Sequence, residues 1–213
     1  PYSAAGGSMA GRAYVFTGGV ALDDSVDAVL DGVPGTLFGW CVARAGDLDA
    51  DGDDEIAVGA ILNRYAYVYF GDPAFDATPD LVLSGEAVDD RFGYAIVRAG
   101  DFNHDGFDDL LVGAIHNDTA AYDAGRAYLY YGSPSPDPIP DVKFTGEAYR
   151  DLFGRALAGP GDLNGDGIDD VVIGSPTPDT GGFGPGRAYV FLGGVAGSPR
   201  LPDNQPDLVL DGE

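Results

Sequence analysis

Positive charge is scarce in this chain. Eleven Lys and Arg stand against 35 Asp and Glu among 213 residues, a formal charge of −24 at pH 7, and Lys143 is the single lysine. That imbalance repels polyphosphates and anionic bilayers, so nucleic acid and direct membrane insertion are disfavoured as modes of action. No apolar run approaches the roughly 20 residues of a membrane span, and no signal peptide is visible. Cys41 is alone, which excludes an intrachain disulfide. Ala95 and Ala156 take its place in the repeats described below, so a small buried position is expected there and not a nucleophile. With only His104 and His116 and one thiol, no zinc cluster can be assembled. Helical periodicity is missing as well: no long segment places apolar residues at i, i+3, i+4 and i+7.

What the chain has is one acidic motif three times over. DLDADGDDE begins at Asp47, DFNHDGFDD at Asp101 and DLNGDGIDD at Asp162, each followed by a short apolar run ending in Gly. Carboxylates or carboxamides stand at loop positions 1, 3 and 5, Gly at 6 and a carboxylate at 9. Calcium takes six to eight oxygens, and acidic groups at alternate positions can all turn inward while the backbone wraps the ion. Gly52, Gly106 and Gly167 allow the positive φ that the reversal needs. The expected side-chain ligands are Asp47, Asp49, Asp51 and Glu55; Asp101, Asn103, Asp105 and Asp109; and Asp162, Asn164, Asp166 and Asp170. Position 7 (Asp53, Phe107, Ile168) has no common side-chain chemistry and is expected to offer backbone carbonyls. His104, at position 4, is expected to point away from the ion.

An EF-hand needs Glu at position 12 and flanking helices. Position 12 here is Val58, Val112 and Ile173, and EIAVGA, DLLVGA and DVVIGS read as strands, so that alternative fails. Simple acidic turns are the plainer reading, since Asp, Asn and Gly form turns for local reasons, but three copies with identical ligand positions favour cation binding. Magnesium is less suited, because it prefers a smaller octahedral shell rich in water. Three divalent ions would move the charge only from −24 to −18. The remaining acidity fits either a surface suited to saline surroundings or a coding bias that also favours Arg over Lys.

The motif sits inside a larger repeat. Phe-Gly precedes each loop by nine residues, at Phe38, Phe92 and Phe153. An aromatic segment recurs at Ala13, Ala66, Ala127 and Ala188, followed by a segment ending in Gly at Ala28, Leu81, Val142 and Leu208. Calling the strands A (from Phe-Gly), B (after the loop), C (aromatic) and D, the chain reads C-D and then A to D three times. Four-stranded antiparallel units repeated radially make an all-β propeller, about three and a half blades here. The boundaries are 1–32 for two outer strands and 38–85, 92–146 and 153–212 for full blades, within a single region 1–213. Blades stack face to face, which accounts for C strands that are apolar at nearly every position. Tyr67, Tyr69, Tyr128, Tyr130, Tyr189 and Phe191 are therefore expected between blades and not on a carbohydrate platform. Residues 133–140 and 197–206 read as exposed C–D loops.

Phe-Gly, a DxDxDG-type loop, then VGA or IGSP resembles the FG-GAP repeat of integrin α-subunit propellers and their bacterial or archaeal relatives, over residues 38 to about 192. Departures are Glu55 where Asp is usual, and Ile after VGA in the first two copies where the family has Pro; only Gly174-Ser175-Pro176 approaches the full ending. The resemblance implies calcium in the A–B hairpins on one propeller face, a structural role for three Ca²⁺, and recognition of a protein or glycan by loops of the other face, such as 116–125. It implies an extracellular or cell-surface adhesion module without catalysis of its own. The alternatives are the non-catalytic propeller of a secreted hydrolase of the phospholipase kind, and a lectin. Ser175, His116 and an Asp offer a hydrolytic triad only on paper, since no GxSxG elbow accompanies them. The opening C-D pair lacks its A and B strands, so further repeats of the same polypeptide are expected to close the ring.

Overall fold

The computed structural model describes residues 8–18, 25–72, 75–177, 185–195 and 205–212. Most of the predicted 197–206 loop lies outside these residues. Strands β1 (Arg12–Val15) and β2 (Ala28–Asp31) pair antiparallel. Three four-stranded meanders follow, each hydrogen-bonded in chain order. Blade 1 holds β3 (Phe38–Gly46), β4 (Glu55–Ala60), β5 (Tyr65–Tyr69) and β6 (Leu81–Ser84). Blade 2 holds β7 (Phe92–Gly100), β8 (Asp109–Ala114), β9 (Arg126–Tyr130) and β10 (Val142–Thr145). Blade 3 holds β11 (Ala156–Gly161), β12 (Asp170–Ser175), β13 (Arg187–Phe191) and β14 (Leu208–Asp211). The chain is an all-β propeller. The one helical turn among the described residues is a 3₁₀ segment, Val88–Asp90, between blades 1 and 2. No helix there is long and apolar enough to cross a membrane.

Register repeats as faithfully as order does. Val58 faces Tyr67, Val112 faces Tyr128 and Ile173 faces Tyr189. In each blade the Phe of Phe-Gly packs on that tyrosine: the ring centroids lie 5.6, 5.4 and 5.2 Å apart for Phe38–Tyr67, Phe92–Tyr128 and Phe153–Tyr189.

The cores lie between blades. Ala66, Val68 and Leu83 of blade 1 pack with Phe92, Tyr128 and Tyr130 of blade 2. Ala127, Leu129 and Phe144 of blade 2 pack with Phe153, Tyr189 and Phe191 of blade 3. Tyr69 and Phe38 pack back onto Ala13 and Leu30. The C strand therefore alternates after all, but by size and not by polarity: small residues face the next blade and aromatic ones face the previous blade. Both faces are buried, so the period of two is hidden from a polar/apolar reading.

Glycine sets the closest approach. A side chain on Gly59 or Gly113 would run into the carbonyl of Gly93 or Gly154, the glycine of the next blade's Phe-Gly. The two glycines of the repeat thus meet each other across each interface, and their lack of a Cβ lets the sheets nest. Cys41 lies half-buried against the core between blades 1 and 2, less enclosed than expected.

Candidate metal centres

Hairpins 47–55, 101–109 and 162–170 join the first two strands of each blade, at the end of the sheet opposite the B–C turns. Each is shaped by the same four bonds from backbone to side chain. The N–H of position 5 donates to the position 1 side chain, Asp51 to Asp47 at 3.1 Å, Asp105 to Asp101 at 2.9 Å and Asp166 to Asp162 at 3.2 Å. It is shared with position 3, at Asp49 (3.2 Å), Asn103 (3.0 Å) and Asn164 (2.8 Å). The Gly at position 6 donates to the second oxygen of position 1, at 3.1, 3.0 and 2.8 Å. Position 7 donates to position 5 at 2.9, 3.1 and 3.0 Å. Gly52, Gly106 and Gly167 have φ of 100°, 95° and 88°, as the sequence required.

These bonds gather oxygens. One carboxylate oxygen from each of Asp47, Asp49 and Asp51 fits within 4.8 Å of the others. In the other hairpins the Asn amide at position 3 donates to position 5, Asn103 to Asp105 at 2.8 Å and Asn164 to Asp166 at 2.9 Å, while the amide oxygen accepts the position 5 N–H. Burial raises the Asp49 carboxyl above its ordinary value, and the charges of Asp51 and Asp47 act in the same direction. His104 sits with φ 57°, more than half exposed, its Nδ1 4.0 Å from Asp101 Oδ2, so its ring stands beside the first ligand position and is not turned fully away.

Position 9 is of a different kind. Glu55, Asp109 and Asp170 are completely buried. One oxygen of each accepts the N–H of position 2, from Leu48 (2.5 Å), Phe102 (2.9 Å) and Leu163 (2.7 Å). The other oxygen reaches the Gly that ends strand C, accepting from Gly132 and Gly193 at 2.9 Å each. In the first hairpin the longer Glu55 follows the pattern loosely: its second oxygen lies toward Gly71, the matching glycine, outside full hydrogen-bond geometry. Burial is the main cause that pushes Glu55 up to about 7 and Asp109 up to about 8, with nearby aspartates adding to it. The gathered carboxylates of Asp47, Asp49 and Asp51 fit a divalent cation, whose charge relieves the desolvation and the mutual repulsion that raise Asp49.

Sequence reading overlooked position 8. Asp54, Asp108 and Asp169 recur there, and Asp108 and Asp169 reach into the hairpin of the preceding blade, accepting from the N–H of Asp47 (2.9 Å) and Asp101 (3.0 Å). The recurrence itself was the available signal.

The triad drawn on paper does not assemble. Ser175 Oγ is buried and donates to the Asp151 carbonyl at 2.7 Å, while His116 Nδ1 lies 3.8 Å from Asp123.

Known proteins place these features. The FG-GAP repeat family pattern matches residues 92–130 and 153–191. Integrin alpha-5 of Xenopus laevis is 33% identical over 184 residues, covering 84% of this chain and 17% of that protein. Integrin alpha-PS2 of Drosophila melanogaster is 30% identical over 190 residues, 79% of this chain and 12% of its own length. Phosphatidylinositol-glycan-specific phospholipase D of Bos taurus is 34% identical over 188 residues, 78% of this chain and 22% of that enzyme. The chain spans under a quarter of each of these relatives. With its sheets, its hairpins and these relatives in agreement, the chain belongs to the FG-GAP repeat proteins, as an integrin α-like β-propeller.

Proposed function

We propose that this chain is a calcium-binding, extracellular interaction module in which three Ca²⁺ are structural. The observation that carries the reading is the triple recurrence of one oxygen-gathering hairpin, with the carboxylates of Asp47, Asp49 and Asp51 brought together in the first. Asp47, Asp49, Asp51 and Glu55 would hold one ion; Asp101, Asn103, Asp105 and Asp109 the second; Asp162, Asn164, Asp166 and Asp170 the third. Asp53, Phe107 and Ile168 would add backbone carbonyls. When bound, the ion supplies positive charge and a crosslink within each hairpin. Calcium suits these sites better than magnesium because it accepts more oxygens in less regular geometry.

Binding to the native state alone makes the metal a stabiliser, and a site held at 100 times its Kd contributes about 2.7 kcal/mol. Chelation of the chain should therefore lower Tm by several degrees and restore it on adding calcium. An unchanged melting curve in excess chelator overturns the proposal.

Recognition is assigned to the opposite face, where the B–C loops and D–A connections emerge. There Tyr122 and Tyr149 are exposed and stacked, centroids 5.6 Å apart at 27°, with the Arg150 guanidinium 5.2 Å from the Tyr149 ring. Tyrosine and arginine are the side chains that dominate binding energy at protein surfaces. Comparing capture from an extracellular milieu by the native chain and by Tyr122→Ala, with and without calcium, tests this face. The relation to a phospholipase D supports a second reading, the non-catalytic propeller of a secreted hydrolase. A lectin is the third, and binding of a free glycan to the Tyr122 face would distinguish it.

A further inference from the structure

We propose that the aspartate at position 8 of the second and third hairpins, Asp108 and Asp169, is a positioning residue for the ion site of the preceding blade, so that calcium binding is coupled from one rim loop to the next. The inference rests on the calcium reading above and adds a coupling between neighbouring sites to it.

Asp108 belongs to the hairpin of blade 2, yet its contacts are with the hairpin of blade 1. Its Oδ2 accepts from the Asp47 N–H at 2.9 Å, and its own N–H donates to the Asp47 carbonyl at 3.1 Å. Asp47 is position 1 of its loop and the residue whose two oxygens organise positions 5 and 6. Arg98 fixes the Asp108 carboxylate with a fork, Nε to Oδ2 and Nη2 to Oδ1, both at 2.6 Å. A second tie runs alongside, from the Ser133 N–H to the Leu48 carbonyl at 2.8 Å.

Part of the device appears one blade on, without the arginine fork, since Gly159 stands where Arg98 does. Asp169 Oδ2 accepts from the Asp101 N–H at 3.0 Å, and the Gly194 N–H donates to the Phe102 carbonyl at 2.9 Å. Space has been left for it: Gly46 and Gly100 precede the hairpins with φ of 94° and 77°, and a methyl on either would overlap the Asp108 or Asp169 carboxylate. Among the described residues no position-8 carboxylate of a further hairpin stands before Asp162, so loop 3 is the internal reference for Asp108.

Coupling follows from adjacency. Asp108 is bonded to Asp109, the position 9 residue that ties loop 2 to Phe102 and Gly132. An ion in loop 2 fixes the 108–109 peptide, which holds Asp47 in place for loop 1, and Asp169–Asp170 relates loop 3 to loop 2 in the same way. Binding free energies couple reciprocally, so filling loop 1 favours loop 2 by the same factor.

The test follows the amide signals of Gly52, Gly106 and Gly167 by NMR as calcium is added to the chelator-stripped chain. In Asp108→Ala the calcium concentrations that half-fill loops 1 and 2, the coupled pair, both rise, that of loop 1 about tenfold, while that of loop 3 is unchanged. In Asp169→Ala the rise moves to loops 2 and 3, the pair that Asp169 joins, and loop 1 shifts least. Asp108→Asn keeps an acceptor for Asp47 and loses the charge pair with Arg98, so its rise at Gly52 is smaller; it carries the test if the alanine variant does not fold. An unchanged Gly52 midpoint in a folded Asp108 variant overturns the inference, as does an equal shift of all three glycines. Native amides that ignore calcium overturn the calcium reading and this inference together, a failure visible before any substitution is made.

Discussion

Blades 2 and 3 are built from the same pattern, yet their forward faces meet different surroundings. Phe144 of β10 is fully buried by blade 3, as Leu83 of β6 is by blade 2 and Leu30 of β2 is by blade 1. Leu210 of β14 occupies the matching position and is 51% exposed. Strands of this one pattern are buried wherever the next sheet stacks on them, and the neighbouring sheet is what decides. An isolated blade of this repeat has no interior of its own, so stability is held in the interfaces.

The largest expected effect breaks that comparison directly. Phe144→Ala should cost about 3 to 5 kcal/mol and Leu83→Ala about 2 to 5 kcal/mol in urea unfolding. Leu210→Ala should stay within about 0.5 kcal/mol, because it removes nothing from a core. A large loss at Leu210 would mean that its face is covered in solution. Next come the glycines before the hairpins. Gly100→Ala combines a left-handed alanine with overlap on the Asp169 carboxylate and should cost about 2 to 5 kcal/mol. Gly161→Ala meets only Asp169 Oδ1 at 3.8 Å, so the backbone strain alone remains, about 1 to 2 kcal/mol by Tm. Smallest is Tyr130→Phe. The buried Tyr130 hydroxyl has no hydrogen-bond partner, and the equivalent residue of blade 3 is already Phe191. Losing that hydroxyl should be neutral or raise stability by up to about 1 kcal/mol.

Much of this architecture was legible because its signals are local. Asp, Asn and Gly punctuate the hairpins, Phe-Gly marks each inner strand, and strand order followed from counting them. The side-chain geometry of positions 1, 3, 5 and 6 is equally local, closed within five residues. What escaped notice depends on partners far away in sequence. Asp108 recurs in register with Asp54 and Asp169, but its role is decided by Asp47, in another blade. Glu55, Asp109 and Asp170 were read only as ligands, whereas each also lies buried against its own hairpin, and Asp109 and Asp170 tie it to the end of strand C through Gly132 and Gly193. The letters Ala-Tyr-Leu-Tyr already alternate in size, yet only the stacking of sheets gives the two sizes separate destinations.

That sorting by size has a consequence for symmetry. The C strand turns Ala, Val or Leu to one side of its sheet and rings to the other, so the two faces are unlike and each interface between blades joins one kind of face to the other. Association through these surfaces is heterologous, head to tail, and such contacts either close into a cycle or run on as a filament.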